Sequence, residues 1–179
     1  LQPVLTGELP LLVETTNELF VLRARRFANE FGLRLMVLGN GNEYRRLQEV
    51  VAIDVPLILP LDFPKPPRVG SAADLSDSSL ESLMHWDHAP SNPALLAKAG
   101  AKFAFMTQGL AKPGDWRGQV RRAIERGLDP ALALDALTRI PAELFGVDDQ
   151  LGTITEGKLS NLVIADGPLF DEKTKIVET

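Results

Sequence analysis

The stretch LGTITEGKLSNLVIADGPLF, residues 151–170, is the most informative part of the chain. Ile154 stands between two threonines, and this alternation is typical of a half-exposed β-strand. A turn is expected next, because Gly157 adopts positive φ without steric cost. Residues 162–165 form a second, more apolar run, and the Asp-Gly-Pro sequence at 166–168 ends it. The pattern predicts two short strands joined as a hairpin.

Upstream, short apolar runs alternate with helical patterns. The runs are residues 9–13, 33–38, 55–61 and 102–106. Between the first two, a single apolar stripe with helical spacing comprises Phe20, Ala24, Phe27, Ala28 and Phe31. The alternation predicts parallel strands with crossover helices. Residues 62–79 are rich in Pro, Gly, Ser and Asp, and they predict a long functional or mobile loop.

The composition argues against nucleic-acid and membrane partners, membrane spans and disulfides. The net charge of −5 gives no electrostatic reason to expect nucleic acid or an anionic membrane surface as a partner. No apolar run reaches the roughly 18 residues of a membrane span. The chain has no cysteine, which excludes disulfides but leaves the compartment open. The basic residues of the last long helix are predicted to form a solvated face; they are Arg117, Arg121, Arg122 and Arg126.

The closing stretch resembles that of the amidohydrolase superfamily, in which the pattern is G-x-[IL]-x-x-G-K-x-A-[ND]-[LF]-V-[VI]-x-[DN]. The positions that match are Gly152, Ile154, Gly157, Lys158, Asn161, Leu162, Val163 and Asp166, whereas Ser160 departs from the usual alanine. Residues 131–145 are similar to a helix pair of the same family, A-L-x-x-x-T-x-x-P-A-x-x-L-G, with Phe145 in place of leucine. Imidazolonepropionase-like and related secreted amidohydrolases resemble the chain most.

The resemblance implies an α/β fold, the C-terminal half of a metal-dependent hydrolase (β/α)8 TIM barrel. Residues 1–146 would supply strands five to eight with their helices. Residues 147–179 would supply return strands of a small β-sandwich. Four βα units would leave two open sheet edges, which are adhesive. We therefore expect the partner to be a missing N-terminal half of the same protein or a second copy of the chain.

The resemblance also implies a reaction, the hydrolysis of an amide or cyclic amide C–N bond in a small-molecule substrate. Family members hold divalent metal at the mouth of the barrel, through a His after strand five, a His after strand six and an Asp after strand eight. Here Glu14, Gly39 and Gln108 occupy those positions. We therefore expect no cofactor in this chain itself and zinc only in the intact protein. The alternative is a catalytically silent scaffold or a module that binds a small ligand.

Five residues are candidates for the site. Gln108 takes the position of the catalytic Asp. Glu14, His85 and His88 are candidate metal ligands, since the two histidines are three apart and share one face of a helix. The same three residues and Asn40 are candidates for binding substrate. Less specific interpretations remain open: Glu14 could accept hydrogen bonds from strand-end amides, and the histidines could pack against Trp86.

Overall fold

Four short parallel strands form the central sheet of the computed structural model, which describes residues 1–68, 70 and 79–179. In spatial order they are β1 (Leu11–Glu14), β2 (Leu35–Leu38), β3 (Leu57–Pro60) and β4 (Phe103–Met106). All three pairings are parallel. Strands β2, β3 and β4 lie within predicted apolar runs, and β1 extends one residue beyond its run, to Glu14. The predicted α/β fold with a parallel sheet is therefore confirmed.

Helices connect the strands. They are α1 (Gln2–Leu5), α2 (Glu18–Glu30), α3 (Leu47–Ala52), α4 (Leu80–His88), α5 (Asn92–Lys98), α6 (Trp116–Glu125), α7 (Pro130–Asp135) and α8 (Arg139–Phe145). Short 3₁₀ turns lie at Glu43–Arg46, Ala89–Ser91 and Pro113–Asp115. None of the helices in the described part of the chain is long and apolar enough to cross a membrane. Half of the predicted loop 62–79, namely residues 69 and 71–78, lies outside the described residues.

The main core lies between the sheet and the helices. Side chains alternate between the two faces of each strand. One face contributes Val37, Leu57 and Leu59 to the main core. On the other face Met36 and Ile58 are also buried. Burial on both faces explains why these strands read as continuous apolar runs in the sequence.

Helix α2 does not bury its phenylalanines. Phe20, Phe27 and Phe31 are 44%, 49% and 56% exposed, whereas Val21 and Ala28 are fully buried. The predicted apolar stripe is therefore buried only in part: Ala24 and Ala28 face the core, and the three phenylalanines do not. A physical reason is that small residues let the helix backbone approach the sheet closely. The phenylalanine side of α2 remains open.

The two edges of the sheet differ. Strand β1 has one neighbouring strand, β2, and Leu12 on β1 is 44% exposed. At the other edge, the N–H of Phe105 on β4 donates to the carbonyl of Ala136 at 3.0 Å, and α8 packs against β4. The expectation of two open edges is therefore wrong for β4, because the α7–α8 segment covers it.

The C-terminal segment forms a small antiparallel pair, β5 (Ile164–Ala165) with β6 (Ile176–Glu178). Residues 152–155 are not a strand, and the predicted second strand of the hairpin, at β5, pairs instead with the later strand β6. The Lys158 amine reaches the hydroxyl of Thr153 at 2.7 Å and the carbonyl of Leu151 at 3.4 Å, which holds this stretch in a local turn.

Two arginines of α6 bind the C-terminal segment to the sheet domain. The Arg117 guanidinium donates to the carbonyls of Leu169, Asp171 and Thr174 at 3.0, 3.2 and 2.8 Å. The Arg121 Nε donates to the carbonyl of Phe170 at 2.8 Å. These two side chains are therefore structural clamps, and the prediction of a purely solvated basic face is wrong for them.

Candidate functional site

Polar side chains follow the strands at the carboxyl end of the sheet. Glu14 ends β1, the loop 39–42 follows β2, Asp62 follows β3 and Gln108 follows β4. Because all four strands are parallel, these positions lie along one edge of the sheet. A Cβ added at Gly109 would lie 2.8 Å from Oδ2 of Asp62, so the chain after β4 lies directly against that carboxylate.

The loop after β2 is built around the carboxylate of Glu43, whose exposed fraction is 0%. Its Oε1 accepts hydrogen bonds from the backbone N–H groups of Asn40 at 2.8 Å and Gly41 at 3.3 Å. Its Oε2 accepts a third from Nδ2 of Asn92 at 2.7 Å. None of the ion pairs among the described residues includes Glu43. Neutral N–H donors therefore compensate a fully buried carboxylate.

Gly39 leaves the room that the Glu43 carboxylate occupies. A Cβ at position 39 would lie 2.5 Å from Oε1 of Glu43 and 3.2 Å from Cδ2 of Leu59. Leu59 belongs to the main core, so a side chain at 39 would point between the sheet and the helices. The position assigned by resemblance to the strand-six ligand therefore does not face the carboxyl-end surface.

Asn40 joins the ends of β1 and β2. Its Oδ1 accepts hydrogen bonds from the backbone N–H and the Nδ2 of Asn42, both at 3.0 Å. Its Nδ2 donates to Oγ1 of Thr15 at 3.4 Å, and that hydroxyl donates to the carbonyl of Leu38 at 2.8 Å. The amide of Asn40 thus holds the loop in place, and its contact with a substrate stays a prediction.

The two histidines pack on Tyr44, and none of the ring pairs found among the described residues joins either of them to Trp86. The rings of Tyr44 and His85 are stacked with centroids 6.2 Å apart, and the His88 ring is tilted at 5.5 Å. The Tyr44 hydroxyl lies 3.3 Å from Nδ1 of His85. Burial lowers the pKa of His85, the Arg45 guanidinium lowers it further, and Glu81 acts in the opposite direction. A lowered pKa keeps His85 neutral at physiological pH.

Glu14 and Gln108 are exposed at the carboxyl edge. Glu14 pairs in register with Leu38 of β2. Across residues 1–68, 70 and 79–179, no three or more His, Cys, Asp or Glu side chains converge as a metal site would require. The described residues as they stand therefore do not fit a bound divalent metal. The predicted ligand set of Glu14, His85 and His88 is not brought together as one such group.

Sequence reasoning misses the pair Glu43 and Asn92. The two residues are far apart in the sequence, and the Asn92 side chain donates to a carboxylate 49 positions away. The available signal is Gly39, a residue without a side chain directly after a buried strand and four positions before a glutamate. A pairing between distant residues leaves no local pattern that would identify Asn92.

Comparison with known proteins gives a family. Residues 81–179, more than half of the chain, match the model described as the amidohydrolase family. An adenine deaminase of Clostridium botulinum is 34% identical over 68 residues, which are 38% of this chain and 11% of that protein. An adenine deaminase of Moorella thermoacetica is 43% identical over 54 residues, 30% of this chain and 9% of that protein.

Solved structures extend the likeness to almost the whole chain. An amidohydrolase from Thermotoga maritima matches with a TM-score of 0.75 and 24% identity, over 98% of this chain and 42% of that one. A prolidase complexed with N-methylphosphonate-L-proline matches with a TM-score of 0.65 and 18% identity, over 98% of this chain and 44% of that one. At these identities the likeness concerns the fold, and the chain spans less than half of either protein.

Proposed function

Because this chain belongs to the amidohydrolase family, we propose that it forms part of a barrel that hydrolyses a C–N bond in a small-molecule substrate. The observation that carries the proposal is the parallel sheet with polar residues at its carboxyl edge, in a fold that a solved amidohydrolase matches over 98% of the chain. The deamination in the name adenine deaminase is also the hydrolysis of a C–N bond. The family match and the likeness to adenine deaminases therefore support hydrolysis of the same class of bond.

Members of the amidohydrolase family usually bind a divalent metal. We propose that zinc is held in the intact protein by residues beyond the described part of this chain, since the described residues offer no converging group of ligands. The role left to this chain is to shape and line the site. Gln108, exposed after β4, would contact the substrate through its amide, and Glu14 would line the opposite side.

The test compares two forms of the protein, the intact gene product and residues 1–179. Both are purified in the presence of zinc, metal is measured by mass spectrometry, and hydrolysis is assayed as ammonia released from adenine, amino acid released from Xaa-Pro dipeptides and ring opening of cyclic amides. We expect the intact protein to bind stoichiometric zinc and to hydrolyse one of these classes, and residues 1–179 to do neither. An intact protein that holds zinc but hydrolyses none of them would overturn the proposed activity.

A second candidate is a catalytically silent binding module. The lack of a converging ligand group in the described residues favours it. This candidate predicts that zinc is absent from the intact protein as well. Stoichiometric zinc together with hydrolysis in the intact protein would exclude it, so the same experiment separates the two candidates.

We also propose that the β1 face is where the rest of the barrel docks. This face comprises the open edge of β1 at Leu12 together with Phe20, Phe27 and Phe31 of α2. A strand added beside β1 would satisfy its unpaired backbone groups, and a following helix would cover the phenylalanines. Helix α2 packs against β2 and α3 with its other side, and its phenylalanines are exposed. The small share of the T. maritima amidohydrolase that the chain spans supports a further βα segment as the occupant.

A further inference from the structure

We infer that Glu43 is a positioning residue whose buried carboxylate, together with Asn92, fixes the loop 39–42 at the carboxyl end of β2. Three N–H groups converge on it from the loop backbone and from α5. The roles of Glu43 and Asn92 do not depend on which bond the intact protein breaks, because they concern how the edge of the sheet is held in shape.

The charge of Glu43 is what makes the arrangement strong. A hydrogen bond to an ionised group contributes roughly ten- to hundredfold to an equilibrium, more than a bond between neutral groups. Because the carboxylate is fully buried, water cannot replace a donor that is lost. The N–H groups of Asn40 and Gly41 must therefore keep pointing at Oε1, and this requirement sets the path of the loop.

The orientation of Asn92 supports the same conclusion. Asn92 is 2% exposed, its Nδ2 donates to Glu43, and its Oδ1 has no hydrogen-bond partner among the described residues. An unpaired buried amide oxygen is unfavourable. The reverse orientation would place that oxygen against the carboxylate, where two negative ends repel. The side chain therefore keeps one atom unsatisfied in order to donate to Glu43.

The result is a link between parts of the chain that are far apart in sequence. Asn92 opens α5, after the long excursion of the chain beyond β3, and it meets the loop that follows β2. The same loop contacts Thr15 at the end of β1 through Asn40. The pair therefore couples α5 to the ends of two strands, at the edge where the candidate site lies.

The experiment uses the 179-residue chain labelled with ¹⁵N and four variants, Glu43→Gln, Asn92→Asp, the double variant and Asn92→Ala. In Glu43→Gln we expect upfield shifts of the Asn40 and Gly41 amide protons and about tenfold faster hydrogen exchange at both. Asn92→Asp places a second carboxylate against that of Glu43, and we expect it to lower the thermal midpoint of unfolding more than Glu43→Gln does. The double variant should regain most of the loss, because the amide introduced at position 43 can donate to the carboxylate introduced at position 92. Glu49→Gln, an exposed carboxylate on α3, is the matched control and should change neither amide.

Two results would overturn the inference. One is wild-type exchange and chemical shifts at Asn40 and Gly41 in Glu43→Gln. The other is a double variant whose loss of stability equals the sum of the two single losses. If Glu43→Gln does not fold, Asn92→Ala decides, because it removes one donor and keeps the carboxylate. It should still speed exchange at both amides by a smaller factor, and no change there would refute the coupling.

Discussion

At the scale of single residues, the carboxylate of Glu43 occupies the space that a side chain at Gly39 would need. We expect Gly39→Ala to lower the free energy of unfolding by about 1–3 kcal/mol, because its Cβ would meet the buried carboxylate and Leu59. Denaturant unfolding followed by circular dichroism measures the change. Gly118→Ala is the control. Gly118 lies within α6 with open space around it, and alanine there should raise the free energy of unfolding by about 0.5–1 kcal/mol. Equal effects at the two positions would contradict the packing described for Gly39.

His85 makes the stability depend on pH. Its pKa in the folded chain lies below the ordinary value of 6.5, with burial as the largest cause. The unfolded chain therefore binds a proton more readily. The contribution of a neutral His85 to the free energy of unfolding is complete above pH 6.5. It is lost as the pH falls from there through the lower pKa that His85 has in the folded chain. Denaturation curves at a series of pH values should show this loss. It should shrink in His85→Gln, while the rest of the acid denaturation remains.

The site also shows what a sequence can predict at this scale. The positions of Glu14, Asn40 and Gln108 after apolar runs predict that they lie at the carboxyl edge, and the parallel sheet puts them there. The role of Gly39 is not predictable in the same way, because a missing side chain gives no hint of the atom that takes its place. Glu43 and Asn92 depend on a contact across 49 positions, which no local pattern encodes.

At the scale of elements, the strands are predictable and the faces of α2 are not. Strands buried on both faces produce continuous apolar runs, which mark the four strands clearly. Helix α2 carries apolar residues on more than one side, and the sequence does not say which side meets the sheet. One strand of the predicted C-terminal hairpin is wrong, because Thr153 and Ile154 alternate like a strand but lie in a turn held by Lys158.

The arginine clamp gives a prediction about the C-terminal segment. Arg117→Ala removes hydrogen bonds to three carbonyls of residues 169–174. We expect that segment to lose protection from hydrogen exchange, with a loss of about 1–3 kcal/mol in local stability. Arg117→Lys should not restore it, since an ammonium lacks the planar fork that reaches several carbonyls. Arg126→Ala, which removes an exposed pair with Asp87, is the control and should leave the segment protected.

At the scale of the whole molecule, the β1 face predicts association of the chain with itself when nothing else covers it. Sedimentation of residues 1–179 should show a concentration-dependent dimer. Leu12→Lys places a charge on the open edge and should shift the equilibrium to monomer. Leu134→Lys is the matched control, because Leu134 is similarly exposed on α7, away from that edge. A monomer at all concentrations, or equal behaviour of the two variants, would contradict the docking role of this face.

The covered outer side of β4 limits how far such assembly can proceed. A fibre needs an unpaired sheet edge on both sides of every subunit, so that each added subunit presents a new edge to the next one. Here the carbonyl of Ala136 and helix α8 terminate one flank. Two copies that meet through β1 would consume both adhesive ends and leave none to recruit a third. At high protein concentration the chain should therefore assemble no further than pairs of subunits and should not form filaments.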